Sequence, residues 1–193
     1  TEAVRVLFMR RRFLVEQRDA LRRRNKEMKP VLNGNKLLKR SFRSDDRIDK
    51  SFCEEIAAIE KDIKRLVDSS PELRRNYQIL TSMKGIGLIN AVALIVYTAN
   101  FKKFDHDARR IASFWGVAPF GYDSGTSLHT TPHVSHYADK YLKSLLSEAA
   151  LCAMRFCPPI RDYAARLLAR GKHPNIVRNN VKNKMLHILV AMV

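Results

Sequence analysis

Residues 80–96 read LTSMKGIGLINAVALIV. An apolar helical pattern ends near Met83, Gly85-Ile86-Gly87 interrupts it, and a second run rich in Ala, Leu, Ile and Val resumes at Leu88. The glycines permit a tight turn, so the stretch predicts two helices joined in the manner of a helix-hairpin-helix. Such a turn brings backbone amides and the start of the second helix up to a phosphate oxygen, and Lys84 adds a charge beside it. A second reading is structural: a close helix–helix turn whose Ile86 plugs the core.

Outward from this turn the chain remains helical. Pro71 and Glu72, preceded by Ser69 and Ser70, form a helix start, with hydroxyls for free amides, proline in the first turn and a carboxylate at the positive end of the dipole. Further helices are predicted over 71–83, 88–98, 105–115, 138–156 and 159–169, with a last one from Pro174, and Gly116 and Gly171 stand where C-terminal caps belong. Strand signals are weak and no repeat is visible. Before Ser70 two longer patterns appear: Leu7, Leu14, Leu21 and Met28, then Phe52, Ile56, Ile59, Ile63 and Leu66. They predict an antiparallel coiled-coil hairpin, roughly 40 Å long at 1.5 Å per residue. Arg11 and Arg18 fall where a strict coiled coil places apolar side chains. The expected fold is all-α, with residues 1–69 a hairpin for assembly and nucleic-acid contact and residues 70–193 a compact helical domain.

Composition narrows the partner. The 193 residues carry 36 Lys plus Arg against 19 Asp plus Glu, a formal charge of +17, and 46% are hydrophobic. Between Thr1 and Lys29 alone, ten basic residues face four acidic ones. A chain able to bury a core but so basic implies a polyanion, nucleic acid ahead of an anionic membrane surface. No apolar run approaches the roughly 20 residues of a membrane span and the first residues lack the apolar core of a signal peptide, so a cytoplasmic, nucleoid-associated protein is expected. Cys53, Cys152 and Cys157 form no CxxC pair and read as reduced thiols. The start at Thr and the end within LHILVAMV lead us to expect a piece of a longer protein.

The stretch 122–143, YDSGTSLHTTPHVSHYADKYLK, has no Lys or Arg until Lys140. His129, His133 and His136 are spaced four and three apart, as metal ligands on one helix face would be, but Thr130-Thr131-Pro132 oppose a helix and no metal is expected here. Ser124 and Ser127 are candidate nucleophiles or turn-forming hydroxyls, and local chemistry does not separate them.

Taken together, the GIG turn, the segment ending in FKKF, the Gly116-Val117-Ala118-Pro119 box, the Ser-Gly loop, the leucine-rich helix from Lys140 and the late Arg170-Gly171-Lys172 resemble, in order, the C-terminal transposase domain of the insertion sequence 110 (DEDD, Piv-invertase-like) family. The resemblance covers about Leu80 to Val193, and the preceding hairpin is similar to the family's coiled coil. It departs at His136–Asp139, where the family commonly has K-R-G-N/D, and at Lys143, where Arg is common.

The resemblance implies a DNA transposase or recombinase whose RuvC-like domain, expected ahead of Thr1, holds Mg2+, while Ser124 in the Ser-Gly position is the nucleophile, with Ser127 as alternate. It also implies DNA, a structured guide RNA and a homo-oligomer as partners, and a piece that by itself binds without cutting. Lys84, Gly85, Gly87, Arg109, Arg110, Lys140, Lys143, Arg11 and Arg18 are the expected nucleic-acid contacts. The rival readings are a non-catalytic helix-hairpin-helix module that binds the DNA backbone, and a protein-assembly domain.

Overall fold

The computed structural model describes residues 1–32, 36–120, 123–124, 128–129, 133–134 and 138–193. The chain is all-α, apart from four two-residue strands, and divides into two compact units, Thr1–Ser70 and Pro71–Val193.

In the first unit, α1 (Glu2–Met28) is followed by a 3-10 turn (Lys29–Leu32) and α2 (Lys36–Ser69). Arg11 Nε donates to Glu60 Oε1 at 2.7 Å, and Arg22 Nε donates to Asp49 Oδ1 at 2.5 Å. A step forward along α1 is thus matched by an equal step back along α2, so the helices run antiparallel. The same register sets Val4 level with Val67 and Phe8 level with Ile63, and all four are buried. Leu14, Ile56 and Ile59 extend this apolar line. Met28, the last residue of the seven-spaced stripe, is instead 47% exposed. Its level on α2 is that of Arg43, which is itself exposed.

Hydrogen bonding by the Arg22 guanidinium, more than its charge, holds the Asp49 carboxyl below the ordinary carboxylate range. A carboxylate with a lowered folded-state pKa contributes stability above its unfolded value of about 3.9, and that contribution disappears as pH falls through the lowered value. Carboxyl NMR should therefore find the Asp49 midpoint below about 3.9, and Arg22→Gln should return it there. An unchanged midpoint in Arg22→Gln would remove this guanidinium as the cause.

In the second unit, α3 (Pro71–Ser82) does begin at Pro71. The hydroxyl of Ser69, expected to serve its free amides, instead donates back to Leu66 O at 2.8 Å. The reason is that the apolar line of α2 continues to Val67, which carries that helix through Ser69. α4 (Leu88–Tyr97) buries six consecutive residues, Ala91 to Val96, which is possible only for a helix surrounded on every side.

The chain leaves α4 through three successive residues with positive φ, Ala99 (50°), Asn100 (58°) and Phe101 (69°). None is glycine, so the conformation carries strain. Local bonds and packing hold it. Thr98 Oγ1 donates to Leu94 O at 2.6 Å and accepts from Phe101 N at 2.8 Å, Asn76 Nδ2 donates to Asn100 Oδ1 at 2.9 Å, and the Phe101 ring is fully buried.

After a 3-10 turn (Lys102–Phe104) come α5 (Ala108–Phe114), the short strands described below, α6 (Lys140–Phe156), α7 (Pro158–Ala169) and α8 (Pro174–Met192). α8 packs on α3, α5, α6 and α7, and its Val181, Met185, Leu186 and Leu189 are fully buried. No helix among the described residues is long and apolar enough to cross a membrane.

Candidate nucleic-acid interface at the stem of the serine loop

The Asp107 side chain caps α5 by accepting from Arg109 N at 2.7 Å and Arg110 N at 3.3 Å. The helix ends on Trp115, which is fully buried, and Gly116 reverses the chain at φ +65°. A Cβ at Gly116 would lie 2.3 Å from the Ala138 Cβ, so the chain entering the loop touches the chain leaving it. Asn179 Nδ2 of α8 donates to Val117 O at 2.9 Å and ties down the entering strand. On the leaving side, the Asp139 side chain accepts from Tyr141 N at 2.8 Å and opens α6. The stem is therefore clamped at Gly116, Val117, Ala138 and Asp139.

Beyond the stem, β1 (Pro119–Phe120) pairs antiparallel with β4 (His133–Val134), and β2 (Asp123–Ser124) with β3 (Leu128–His129). The pairs are nested in sequence, and Ser124, opposite Leu128, is the innermost paired residue of its strand. The strand signals in this loop were weak because each strand is only two residues long. His129 and His133 lie in these strands, in keeping with the absence of a helix expected from Thr130-Thr131-Pro132. Ser127 and His136 lie outside the described residues. Among the described residues no group of three or more His, Cys, Asp or Glu side chains comes together.

Beside the stem, Pro119 lines a cleft of about 780 Å3 together with Lys143 and Ser147 of α6 and Lys172, Arg178 and Lys182 at and within α8. Among the described residues no carboxylate lines it. Lys182 is only 8% exposed, and its Nζ donates to Ser147 Oγ at 3.3 Å. Burial first, then the like charges of Lys143 and Arg178, push the Lys182 ammonium below its ordinary pKa. The cleft thus concentrates positive charge, and its described lining residues supply no counter-charge.

Of the residues expected to contact nucleic acid, Lys143 joins this cleft. Lys140 is exposed at the start of α6. Lys84 is exposed in the turn between α3 and α4, Ile86 is buried there, and Gly87 is the N-cap of α4 with open space around it. Gly85 faces inward, since a Cβ on it would stand 2.6 Å from Ala149 O of α6. Gly85 and Ile86 thus pack inward, as the structural reading of the turn expects, while Lys84 and Gly87 face out. Arg109 and Arg110 are exposed on the first turn of α5, and Arg110 Nη1 donates to Asp105 Oδ2 at 2.8 Å. In the first unit Arg11 is held by Glu60, and Arg18 bonds Asp19 Oδ1 at 2.8 Å.

Sequence reasoning missed Arg178, Asn179 and Lys182. The legible signal was a lysine in register with Met185, Leu186 and Leu189, a charge set into an apolar helix stripe.

Residues 77–165, from α3 through the serine loop into α7, match the family model described as Transposase IS116/IS110/IS902 family. The chain is 31% identical over 139 residues to an insertion element IS110 43.6 kDa protein of Streptomyces coelicolor, covering 72% of this chain and 33% of that one. It is 26% identical over 151 residues to the pilin gene-inverting protein of Moraxella bovis, covering 78% of this chain and 46% of that one. It is 27% identical over 140 residues to a probable family 20 transposase of Pseudomonas aeruginosa, covering 71% of this chain and 40% of that one. The chain spans less than half the length of each of these relatives.

Proposed function

Because the chain belongs to the IS116/IS110/IS902 transposase family, we propose that it is the part of a DNA transposase or site-specific recombinase that binds nucleic acid and supplies Ser124 as nucleophile. The observation that supports this reading is the position of Ser124 in a loop whose clamped stem borders a cleft lined by Lys143, Lys172, Arg178 and Lys182. A serine hydroxyl attacks a phosphodiester only when the phosphate charge is neutralised and the leaving oxygen is assisted. The loop itself carries no Lys or Arg before Lys140. In this chain the cleft supplies the cations, which hold the strand by its backbone.

In the proposed step the Ser124 oxygen forms a bond to phosphorus, the bond from phosphorus to the 3′-oxygen breaks, and the 3′-oxygen leaves as a hydroxyl. The serine proton passes to a base in the full-length protein, and a proton is delivered in turn to the departing 3′-oxygen, so the step balances. Attack by a 3′-hydroxyl on the phosphoserine reverses the step, so strands rejoin without a high-energy cofactor. Structured guide RNA is a second ligand for the basic faces, and the unit Thr1–Ser70 pairs copies of the protein.

The test is to trap the covalent intermediate on a nicked DNA substrate with the full-length protein and Mg2+, and to map the DNA-linked peptide by mass spectrometry. The adduct is expected at Ser124, absent in Ser124→Ala and retained in Ser127→Ala. Strong binding with no adduct under any cation or guide condition would replace this reading with the non-catalytic backbone-binding module. A salt-stable oligomer without affinity for nucleic acid would instead support the assembly domain.

A further inference from the structure

A buried lysine without a carboxylate is costly unless something else compensates its charge. Ser147 does not do so. Its hydroxyl proton is donated to Lys143 O at 2.8 Å, so its oxygen can only accept from Lys182. That contact spends one of the three donors of the ammonium and leaves its charge intact. Among the described residues no acid lies against Lys182, and the charged groups that act on it, Lys143 and Arg178, have its own sign. Lys172 adds a further cation to the same cleft. Four cations around one opening, one of them buried, exceed what a single carboxylate ligand would balance, whereas a nucleic-acid strand presents successive negative charges.

We propose that the cleft between α6 and α8 is a built site for the phosphodiester backbone of the strand on which the serine loop acts, with one phosphate seated on Lys182 and flanked by Lys143, Lys172 and Arg178. The identity of that strand rests on the recombinase reading, whereas the phosphate site itself does not. Pro119, which both lines the cleft and begins β1, places the seated phosphate beside the stem of the loop. Lys182 is then the anchor that fixes the strand's register.

The test compares thermal unfolding of the 193-residue chain in inorganic phosphate and in chloride at equal ionic strength. Phosphate should raise Tm by about 2–4 °C, the scale of a modest ligand-binding stabilisation. Lys182→Met should have a higher Tm than the parent in chloride, having lost a buried uncompensated charge, and should lose the phosphate increment. Lys184→Met, exposed on the same helix and outside the cleft, should keep it. Lys182→Arg, which retains the charge, guards against a folding defect and should retain part of the increment. With single-stranded DNA and RNA of one sequence, Lys182→Met should lower the slope of log K against log salt by about 0.7, one phosphate's share. A larger change with DNA identifies the strand as DNA. A phosphate increment and salt slope unchanged by Lys182→Met overturn the site, even if the Ser124 adduct forms. An absent adduct with the increment lost in Lys182→Met removes the nucleophile and leaves the phosphate site standing.

Discussion

Gly85→Ala is expected to destabilise the Pro71–Val193 unit by about 3 kcal/mol, a shift of more than a hundredfold in its folded-to-unfolded ratio. Two costs combine. Gly85 has φ +99°, where a side chain is penalised by about 1–2 kcal/mol. The added methyl would also meet Ala149 O at 2.6 Å and Ala153 N at 3.1 Å, both backbone atoms of α6 that a rotamer change cannot move, and such overpacking costs about 1–3 kcal/mol. Gly87→Ala is the control within the same motif. Nothing lies within 4 Å of its Cβ position and its φ is −99°, so only the weaker N-cap preference of alanine opposes it, at roughly 1 kcal/mol or less. Chemical denaturation followed by circular dichroism measures both. Equal effects at the two glycines would sink the claim that Gly85 is held by contact with α6.

Gly116→Ala should cost a similar amount, about 3 kcal/mol, and it should act on the serine loop as well as on stability. Its φ of +65° is left-handed and its new methyl would be 2.3 Å from the Ala138 Cβ, an atom with no rotamer to adopt. Relief requires the two sides of the stem to separate, which pulls against Trp115 on one side and the α6 cap at Asp139 on the other. Because two causes contribute, a double-mutant cycle divides them. Ala138→Gly alone should be mild, and in the Gly116→Ala background it should recover the overpacking share, about 1–3 kcal/mol, while leaving the backbone strain. Additive effects of the two substitutions would show that the sides of the stem do not touch in solution.

Much of the architecture was legible because its signals are local. Alternating three- and four-residue spacings identify the contact line of α2, Pro71 marks the start of α3, and Gly116 and Gly171, with φ of +65° and +77°, stand just beyond helix ends as their positions predicted. The all-α class follows from these repeats. The candidate site was legible only in part. Lys143, which lines the cleft, was nominated at the start of the leucine-rich helix, and Ser124 was nominated from the Ser-Gly pattern together with the order of neighbouring motifs. Lys182, Arg178 and Asn179 were missed because no residue beside them announces a site. They gain meaning only when α8 is laid against α6 and Val117.

By itself, the sequence determined the helical class, the strongly basic character, and the family to which residues 77–165 match. Each depends on composition or on residues close along the chain. Only the tertiary structure decided that Gly85 is a packing glycine while Gly87 is free. It likewise decided that Ala99, Asn100 and Phe101 turn left-handed without a glycine, and that a lysine from the last helix is buried beside the serine-loop stem. The reason is the same in each case. A buried Phe101 ring, an Asn76–Asn100 bond and the backbone of α6 act between residues distant in sequence, and their combined energy overrides local preference.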